Sequence, residues 1–316
     1  MLENKNETRS VVITGAAGFI GSSTVEYYLL RGWRVLALDI NEANLSVRKD
    51  SKFRENFTYV KWNLFERDPL PDEIMKQRWD VFIHFAWAGS AGPQRTDLSL
   101  QIKNAEAAEA CVRLAKDLGC KKFIGAGSLM EYEVEHATHN APKITTPNHY
   151  GYGKLLAHYL CKMEASNVGI DFIWGIITNV YGPREKAPRF INTTIRKIIN
   201  NEPMTFSSGL QNYDFVYITD AAQAFYCMGE WGVNNTEYVV GSGDAHRLSS
   251  FVMLMYEACG SELNPQFDMS KRVDCELPIE TFSIKDLALD TGYSPHISFI
   301  SGIQATKEWI EKNGKV

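Results

Sequence analysis

Long apolar runs and an excess of positive charge are both absent from this sequence of 316 residues. No stretch approaches the roughly 18 consecutive apolar residues of a membrane-spanning helix, and the polar opening MLENKNETRS lacks the apolar core of a secretory signal. We therefore predict a cytoplasmic protein without membrane contact. The formal net charge of −5 argues against a nucleic-acid partner, because neutralising phosphates requires a basic face.

The sequence also lacks paired cysteines, repeats and low-complexity tracts. Its six cysteines include no C-x-x-C pair, and several fall within apolar patterns, so they are predicted to be reduced and mostly buried. No two histidines have metal-ligand spacing with a carboxylate partner, and His84 lies in an apolar strand pattern. We expect neither a bound metal nor a repeat architecture.

Up to about residue 176, short β-branched or aromatic runs alternate with helical patterns. This alternation is typical of βαβ units, which build a parallel sheet with helices on both faces. Long amphipathic helices are predicted over Asp97–Leu118 and Tyr150–Ser166, because apolar residues recur there at three- and four-residue spacing. The predicted strands are Ser10–Thr14, Arg34–Asp39, Thr58–Lys61, Val81–Phe85, Lys122–Ala126 and Ile170–Ile176.

The pattern becomes less regular after Asn179, where prolines at 183, 188 and 203 interrupt it. We therefore predict an α/β protein with a doubly wound parallel sheet in residues 1–176. Residues 177–316 are predicted to form mainly a smaller, substrate-binding domain. Residues 213–230 are expected to return to the sheet domain.

Three glycines at G-x-x-G-x-x-G spacing follow the first predicted strand and open a predicted helix. Gly15 allows a tight turn, Gly18 lets the backbone approach a pyrophosphate, and Gly21 lets helix and strand pack closely. Asp39 ends the second strand, where a carboxylate accepts hydrogen bonds from the adenosine ribose and repels a 2′-phosphate. The pattern predicts a Rossmann-type sheet that binds NAD in preference to NADP.

Tyr150 and Lys154 lie four residues apart at the start of the second long helix, so their side chains share one helical face. A phenol is a poor base at neutral pH until a nearby cation stabilises its phenolate, and Lys154 is predicted to supply that cation and to reach the nicotinamide ribose. Ser128 follows the fifth strand at the carboxyl edge of the sheet, where it can hydrogen-bond a substrate oxygen. These residues predict carbonyl–alcohol interconversion by hydride transfer, with Tyr150 moving the proton.

An ordered set of further motifs runs along nearly the whole chain. With them the sequence resembles the NAD-dependent epimerase/dehydratase family of extended short-chain dehydrogenases/reductases. The resemblance implies a nucleoside-diphosphate sugar as substrate, NAD as cofactor, and a homodimer joined by a four-helix seam from the two long helices. The motifs are TGAAGFIG at Thr14–Gly21, His84-Phe85-Ala86, Asn104, Ser128, YGYGK at Tyr150–Lys154, NVYGP at Asn179–Pro183, DFVYITD at Asp214–Asp220 and GYSP at Gly292–Pro295.

The resemblance also implies which positions form the site. The catalytic residues are Ser128, Tyr150 and Lys154. Cofactor contacts are implied for Gly15, Ala17, Gly18, Phe19, Ile20, Gly21, Asp39, Asn63, Leu64, Phe85, Ala86, Trp87, Asn104, Tyr150 and Lys154. Substrate contacts are implied for Ser128, Leu129, Met130, Asn179, Arg189 and Arg272.

Leu129 and Met130 depart from the pattern of sugar-nucleotide 4,6-dehydratases. Those enzymes carry at least a glutamate directly after the catalytic hydroxyl, because they remove a proton and expel water. Without an acid at that place, dehydration is disfavoured. The run GSLMEY at Gly127–Tyr132 and the run HFAWAG at His84–Gly89 instead resemble 4-keto-6-deoxyhexose reductases.

Three functions remain open. The leading prediction is reduction of the C4 keto group of a nucleoside-diphosphate 4-keto-6-deoxyhexose, a step of polysaccharide biosynthesis. The alternative is a 4-epimerase, which oxidises C4, rotates the keto sugar, returns the hydride and so retains NAD. A non-catalytic dinucleotide sensor is a minor alternative, because such a protein would typically have lost the tyrosine or the lysine.

Two arginines expected from the family are missing. Tyr213 stands before the Asp-Phe-Val run, and Ile176 stands three residues before Asn179. Diphosphate contacts are therefore expected to involve other residues, with Arg189 as a candidate. Arg95 lies in a predicted loop at the carboxyl edge of the sheet, where it is either a substrate contact or a solvated arginine.

Overall fold

A computed structural model describes residues 8–140, 148–271 and 276–313 of the chain. Its strands are β1 Ser10–Thr14, β2 Arg34–Asp39, β3 Phe57–Lys61, β4 Val81–His84, β5 Lys122–Ser128, β6 Asp171–Ile177, β7 Asn179–Tyr181, β8 Thr205–Phe206, β9 Asn212–Tyr213, β10 Phe215–Tyr217, β11 Thr236–Val240, β12 His246–Arg247 and β13 Gln266–Phe267. Seven of them form one parallel sheet in the order β11-β6-β5-β4-β1-β2-β3. This order starts centrally and moves outward on both sides, so the predicted doubly wound Rossmann-type fold is confirmed.

Helices cover both faces of the sheet. The helices are α1 Phe19–Leu29, α2 Asp72–Met75, α3 Leu98–Asp117, α4 Met130–Asn140, α5 His149–Val168, α6 Phe190–Ile199, α7 Ile218–Trp231, α8 Leu248–Ala258, α9 Lys285–Thr291 and α10 Phe299–Asn313. Along β1, Val11 and Ile13 pack toward α1 and α7, whereas Val12 packs toward α3 and α5. Within the described ranges, no helix combines the length and apolar composition needed to cross a membrane.

The sheet extends beyond the sequence prediction at two places. Strand β5 continues past Ala126, because Gly127 and Ser128 pair with Ile176 and Ile177 of β6. Strand β11 joins the edge beside β6, although the sequence limits the returning segment to residues 213–230. A five-residue strand pattern does not reveal which sheet it joins, so this element was missed. The division of the chain into two domains otherwise remains a prediction.

The remaining elements build a smaller core outside the main sheet. Three two-stranded ladders pair β7 with β10, β9 with β12, and β8 with β13. Helices α6, α8 and α10 pack with these ladders around buried side chains that include Ile195, Phe251 and Ile303. This second core therefore stands on segments that follow the first six strands and the first five helices in sequence.

Side-chain caps determine where the two long helices begin. Asp97 Oδ1 accepts a hydrogen bond from the Leu100 N–H at 3.1 Å, and Asn148 Oδ1 accepts one from the Gly151 N–H at 2.9 Å. Helix α5 ends at Gly169, whose φ of +65° is a left-handed conformation that glycine adopts without strain. Because α5 begins at His149, Tyr150 lies in its first turn and its side chain remains near the sheet edge.

Phe123 is the central ring of a stack that ties β5 to its neighbours. Its centroid lies 5.6 Å from that of Phe82 and 6.4 Å from that of Phe172. We expect Phe123→Ala to lower the free energy of unfolding by about 3–5 kcal/mol, because the surrounding side chains cannot fully collapse into the space. Chemical denaturation measures this loss. Leu289→Ala, at a position 71% exposed, is the control and should cost less than about 0.5 kcal/mol. Equal losses of stability in the two variants would contradict the assignment of Phe123 to the packed core.

Candidate active site

A cavity of about 920 Å³ lies along the carboxyl ends of the central strands. Open parallel sheets bind ligands at this edge, because the loops that follow neighbouring strands meet there. Most predicted site residues line the cavity: Gly15, Gly18, Phe19, Ile20, Gly21, Asp39, Asn63, Leu64, Phe85, Ala86, Trp87, Ser128, Leu129, Met130, Tyr150, Lys154, Asn179 and Arg189. The structure therefore brings together residues from the glycine turn to the start of α6.

The glycine turn forms one end of the cavity. Gly15 has a φ of +64°, and a Cβ on it would lie 2.6 Å from the Ala86 backbone nitrogen. A Cβ on Gly21 would lie 2.1 Å from the Gly15 carbonyl oxygen. The first turn of α1 has neither a capping side chain nor an acidic residue, so its N–H groups remain available to an anion. This end of the cavity fits a pyrophosphate.

Asp39 stands at the end of β2, beside the glycine turn. Its Oδ2 accepts a hydrogen bond from the Ala17 N–H at 2.9 Å, and its Oδ1 accepts one from the Asn41 N–H at 3.2 Å. Each carboxylate oxygen keeps acceptor capacity for a ribose hydroxyl. Ala17 was predicted as a cofactor contact, but it is 3% exposed and does not line the cavity. Its backbone instead holds Asp39 in place.

Tyr150 and Ser128 lie side by side in the wall of the cavity. Ser128 Oγ accepts the Met130 N–H at 3.2 Å. Burial raises the pKa of the Tyr150 phenol, whereas the positive charges of Arg95 and Arg189 and the neighbouring Ser128 side chain lower it. The phenol and the serine hydroxyl can therefore face the same substrate oxygen, as the sequence predicts.

Lys154 is buried one helical turn beyond Tyr150. Its ammonium donates a hydrogen bond to the Ala126 carbonyl at 2.8 Å and lies 3.7 Å from the centre of the Trp87 ring. Burial lowers the pKa of Lys154 to about 7, although the charge of Glu131 acts in the opposite direction. Its Nζ lies 5.9 Å from the centre of the Tyr150 ring. Lys154 is therefore a constrained cation beside the phenol.

Arg95 lies closer to the Tyr150 ring than Lys154 does. Its Cζ is 4.6 Å from the ring centre, and the residue lines the cavity. The sequence left open whether Arg95 is a substrate contact or a solvated arginine. In the structure it is a second cation against the Tyr150 phenol. Arg189 also lines the cavity, and its Nε lies 3.0 Å from Glu185 Oε2.

Two predicted contacts, Asn104 and Arg272, and the position of a missing arginine, Tyr213, stand apart from this set. Asn104 does not line the cavity: its Oδ1 accepts the Ala88 N–H at 2.9 Å, and its Nδ2 donates to the Ala88 carbonyl at 2.8 Å. Asn104 therefore holds the loop after β4, and its contact with the cofactor remains a prediction. Tyr213, which stands where an arginine was expected, lines the cavity with an uncharged side chain. The predicted substrate contact Arg272 lies outside the described residues.

The donors around this cavity suit a dinucleotide rather than a metal ion. No group of three histidine, cysteine, aspartate or glutamate side chains in the described part of the chain could hold a metal. The glycine turn, Asp39 and the buried Lys154 offer groups of the kind that a pyrophosphate and riboses require. Together with the tyrosine and serine hydroxyls, they match the site that the sequence predicts for a dinucleotide-dependent enzyme.

Comparison with known proteins identifies the family. The model of the NAD-dependent epimerase/dehydratase family matches residues 11–241. The chain belongs to this family, and the predictions of the family and of NAD as cofactor are confirmed.

Individual proteins share this architecture at low sequence identity. The chain is 25% identical to an uncharacterised UDP-glucose epimerase of Bacillus subtilis over 230 residues, which cover 67% of this chain and 70% of that protein. UDP-glucuronic acid 4-epimerase from Bacillus cereus, solved with UDP-glucuronic acid and NAD, has a TM-score of 0.76 at 22% identity and covers 96% of this chain and 99% of its own. dTDP-glucose 4,6-dehydratase from Bacillus anthracis, solved with NAD, has a TM-score of 0.76 at 19% identity, with 98% of each chain covered. At these identities the two structures support the fold alone.

Asp39 provides the test of nucleotide preference. We expect Asp39→Asn to weaken NAD binding about 10-fold or more, because hydrogen bonds to a charged group contribute roughly 1.5–3 kcal/mol. The same variant should bind NADP relatively better, since the repulsion of a 2′-phosphate disappears. Fluorescence titration of both nucleotides measures the ratio, and Asp50→Asn, at an exposed aspartate beyond β2, is the control. An unchanged ratio would remove Asp39 from the ribose site.

Proposed function

We propose that this chain transfers a hydride to or from C4 of the sugar in a nucleoside-diphosphate sugar. The observation that carries the proposal is that the Tyr150 phenol, Ser128 and Lys154 line the same cavity as the glycine turn. The leading reaction is reduction of the C4 keto group of a 4-keto-6-deoxyhexose. Relatives whose names specify UDP-, dTDP- and CDP-linked substrates or products support the substrate class.

The residues of the chain then have distinct tasks. The glycine turn and Asp39 would hold NAD or NADH, which would supply the hydride chemistry when bound. Ser128 orients the C4 oxygen by a hydrogen bond, and Tyr150 gives that oxygen a proton during reduction or removes one during oxidation. Arg95 and Lys154 stabilise the phenolate that exists between these events. Arg189, which also lines the cavity, is the candidate cation for the diphosphate.

The residues after Ser128 support reduction over dehydration. Leu129 is buried with Leu277 and Phe282 in a small apolar cluster. Met130 lines the cavity with a side chain that cannot exchange a proton. Elimination of water requires a group that removes a proton and one that protonates the leaving hydroxyl. Neither position provides such a group.

A 4-epimerase is the second candidate. It is favoured by the names of relatives and structural neighbours, which include several 4-epimerases. The same tyrosine and serine can perform oxidation and reduction in turn, provided that the cofactor stays bound and the keto sugar rotates between the two steps. The fate of the cofactor therefore separates the two reactions.

The deciding experiment follows the cofactor of the purified protein. We expect oxidation of added NADH when UDP- or dTDP-4-keto-6-deoxyglucose is supplied, with deuterium from 4-deuterated NADH appearing at C4 of the product. Tyr150→Phe should reduce turnover at least about 100-fold while NAD affinity changes little, since only the proton carrier is lost. Tightly retained NAD and interconversion of UDP-glucose and UDP-galactose without NADH consumption would establish the epimerase. Dinucleotide binding without turnover of either class would establish a sensor.

We also propose that the chain forms a homodimer through α3 and α5. These helices pack side by side and are linked by Arg113 Nη1 and Glu164 Oε1, which lie 2.9 Å apart. Their outer faces expose apolar side chains, of which Tyr159 and Met163 are 56% and 58% exposed. Ile102 and Leu156 continue this surface. A second copy of the same two helices would bury it in a four-helix seam.

Charge placed on this surface tests the dimer. We expect Tyr159→Glu/Met163→Glu to convert a dimer into a monomer, because facing carboxylates would repel and lose solvation. Sedimentation velocity measures the mass. Met253→Glu introduces a charge at a similarly exposed methionine on α8 and should leave the dimer intact. A monomeric starting protein, or a dimer in the double variant, would contradict the seam.

A further inference from the structure

A buried carboxylate that has no part in the proposed proton transfer lies directly behind Ser128. Glu131 is in the first turn of α4, and it is 1% exposed. Its Oε1 accepts the Ser128 backbone N–H at 2.8 Å. The Trp174 indole N–H lies 3.2 Å from Oε1 and 3.1 Å from Oε2. Glu131 therefore connects the end of β5 with β6.

The second oxygen of Glu131 faces α5. Its Oε2 lies 3.3 Å from His158 Nδ1, and this nitrogen lies 3.5 Å from Glu237 Oε2 on β11. The His158 ring stacks on Trp174 with centroids 4.8 Å apart. His158 follows Lys154 by one helical turn, so both side chains project from the same side of α5. Glu131 thus lies between Ser128 and the helix that carries Lys154.

The local sequence leaves space for this carboxylate. A Cβ on Gly127 would lie 2.7 Å from Glu131 Oε1 and 2.3 Å from Trp174 Nε1. Both distances are too short for any side chain, so the carboxylate and the indole can meet only because residue 127 is glycine. The position of Glu131 is therefore built into the strand that ends at Ser128.

Glu131 is also the carboxylate that acts on Lys154. Burial lowers the pKa of Lys154 to about 7, and Glu131 is the strongest influence in the opposite direction. On β4, burial lowers the pKa of His84 to about 3, and on α5, burial raises the pKa of the Cys161 thiol far above its usual value. Both groups are neutral at pH 7 and cannot replace the charge of Glu131.

We propose that Glu131 is a positioning residue of the catalytic set, which holds the backbone of Ser128 and supplies the negative charge opposite Lys154. His158 and Trp174 satisfy the remaining hydrogen-bonding capacity of its carboxylate. This proposal rests on the proposed hydride-transfer function through the roles of Ser128 and Lys154. It does not depend on the sugar or on the choice between reductase and epimerase.

Two substitutions separate the two tasks of Glu131. Glu131→Gln keeps an oxygen for the Ser128 N–H but removes the charge, so the pKa of Lys154 should fall. A lysine is charged only below its pKa, and we therefore expect the basic limb of the kcat–pH profile to move to lower pH by about one unit or more. Above that limb, kcat should fall about 10-fold for each unit of the shift. Glu131→Asp keeps the charge but shortens the side chain. The basic limb of its kcat–pH profile should therefore stay at the same pH, while the plateau value of kcat falls.

The affinity for NAD, measured against pH without any sugar, gives an independent readout. Lys154 should lose its charge at a lower pH in Glu131→Gln. The pH at which NAD binding weakens should therefore also be lower in this variant than in the unaltered protein. In the background of Lys154→Met, Glu131→Gln should cause no further shift of either profile. Glu135→Gln, one turn further along α4, makes the same chemical change and is the control.

These measurements distinguish failure of this proposal from failure of the proposed function. A shifted NAD-affinity profile without turnover of any 4-keto sugar supports the role of Glu131 and overturns the proposed reaction. Unshifted profiles in a folded Glu131→Gln protein, or an equal shift in Glu135→Gln, overturn the role of Glu131. If Glu131→Gln does not fold, the proposal is tested with Glu131→Asp alone. A shift in the basic limb of its kcat–pH profile, or an unchanged kcat on the plateau, would contradict the proposal.

Discussion

The close approach of β5 to the Trp174 indole is the constraint on which the candidate site depends. A Cβ on Gly125 would lie 2.0 Å from Trp174 Cζ3, so residue 125 must be a glycine for β5 to pack this closely against the indole. The indole N–H then reaches Glu131, and the strand continues to Ser128. The position of the serine hydroxyl is thus a consequence of packing between two neighbouring strands, because any larger residue would separate them.

Burial opposes charge throughout the site. It lowers the pKa of Lys154 and raises that of Tyr150, so each group is driven toward its neutral form. Arg95 and Glu131 counteract these two effects from the loop after β4 and from α4. The ionisation of Tyr150 and Lys154 therefore depends on residues well outside the helix that carries them.

The side chains that follow Ser128 bear on which reaction the proposed site performs. An apolar Leu129, packed against Leu277 and Phe282, leaves no acid directly after Ser128. The proposed reduction and the alternative epimerisation both require only a hydride and a proton at the sugar. They differ in whether the cofactor is released, which depends on its binding energy.

Local patterns in the sequence determined the parts of this protein that depend on neighbouring residues. Residue spacing within one turn, strand or helix was enough to predict three features. These are the glycine turn, the strand that ends at Asp39, and the shared helical face of Tyr150 and Lys154. The six predicted strands lie within two residues of the observed bounds for the same reason. Only the tertiary structure decided that Arg95 lies against Tyr150, that Glu131 meets His158, and that β11 completes the sheet. These contacts join segments distant in sequence, and such pairing depends on packing that no local pattern encodes.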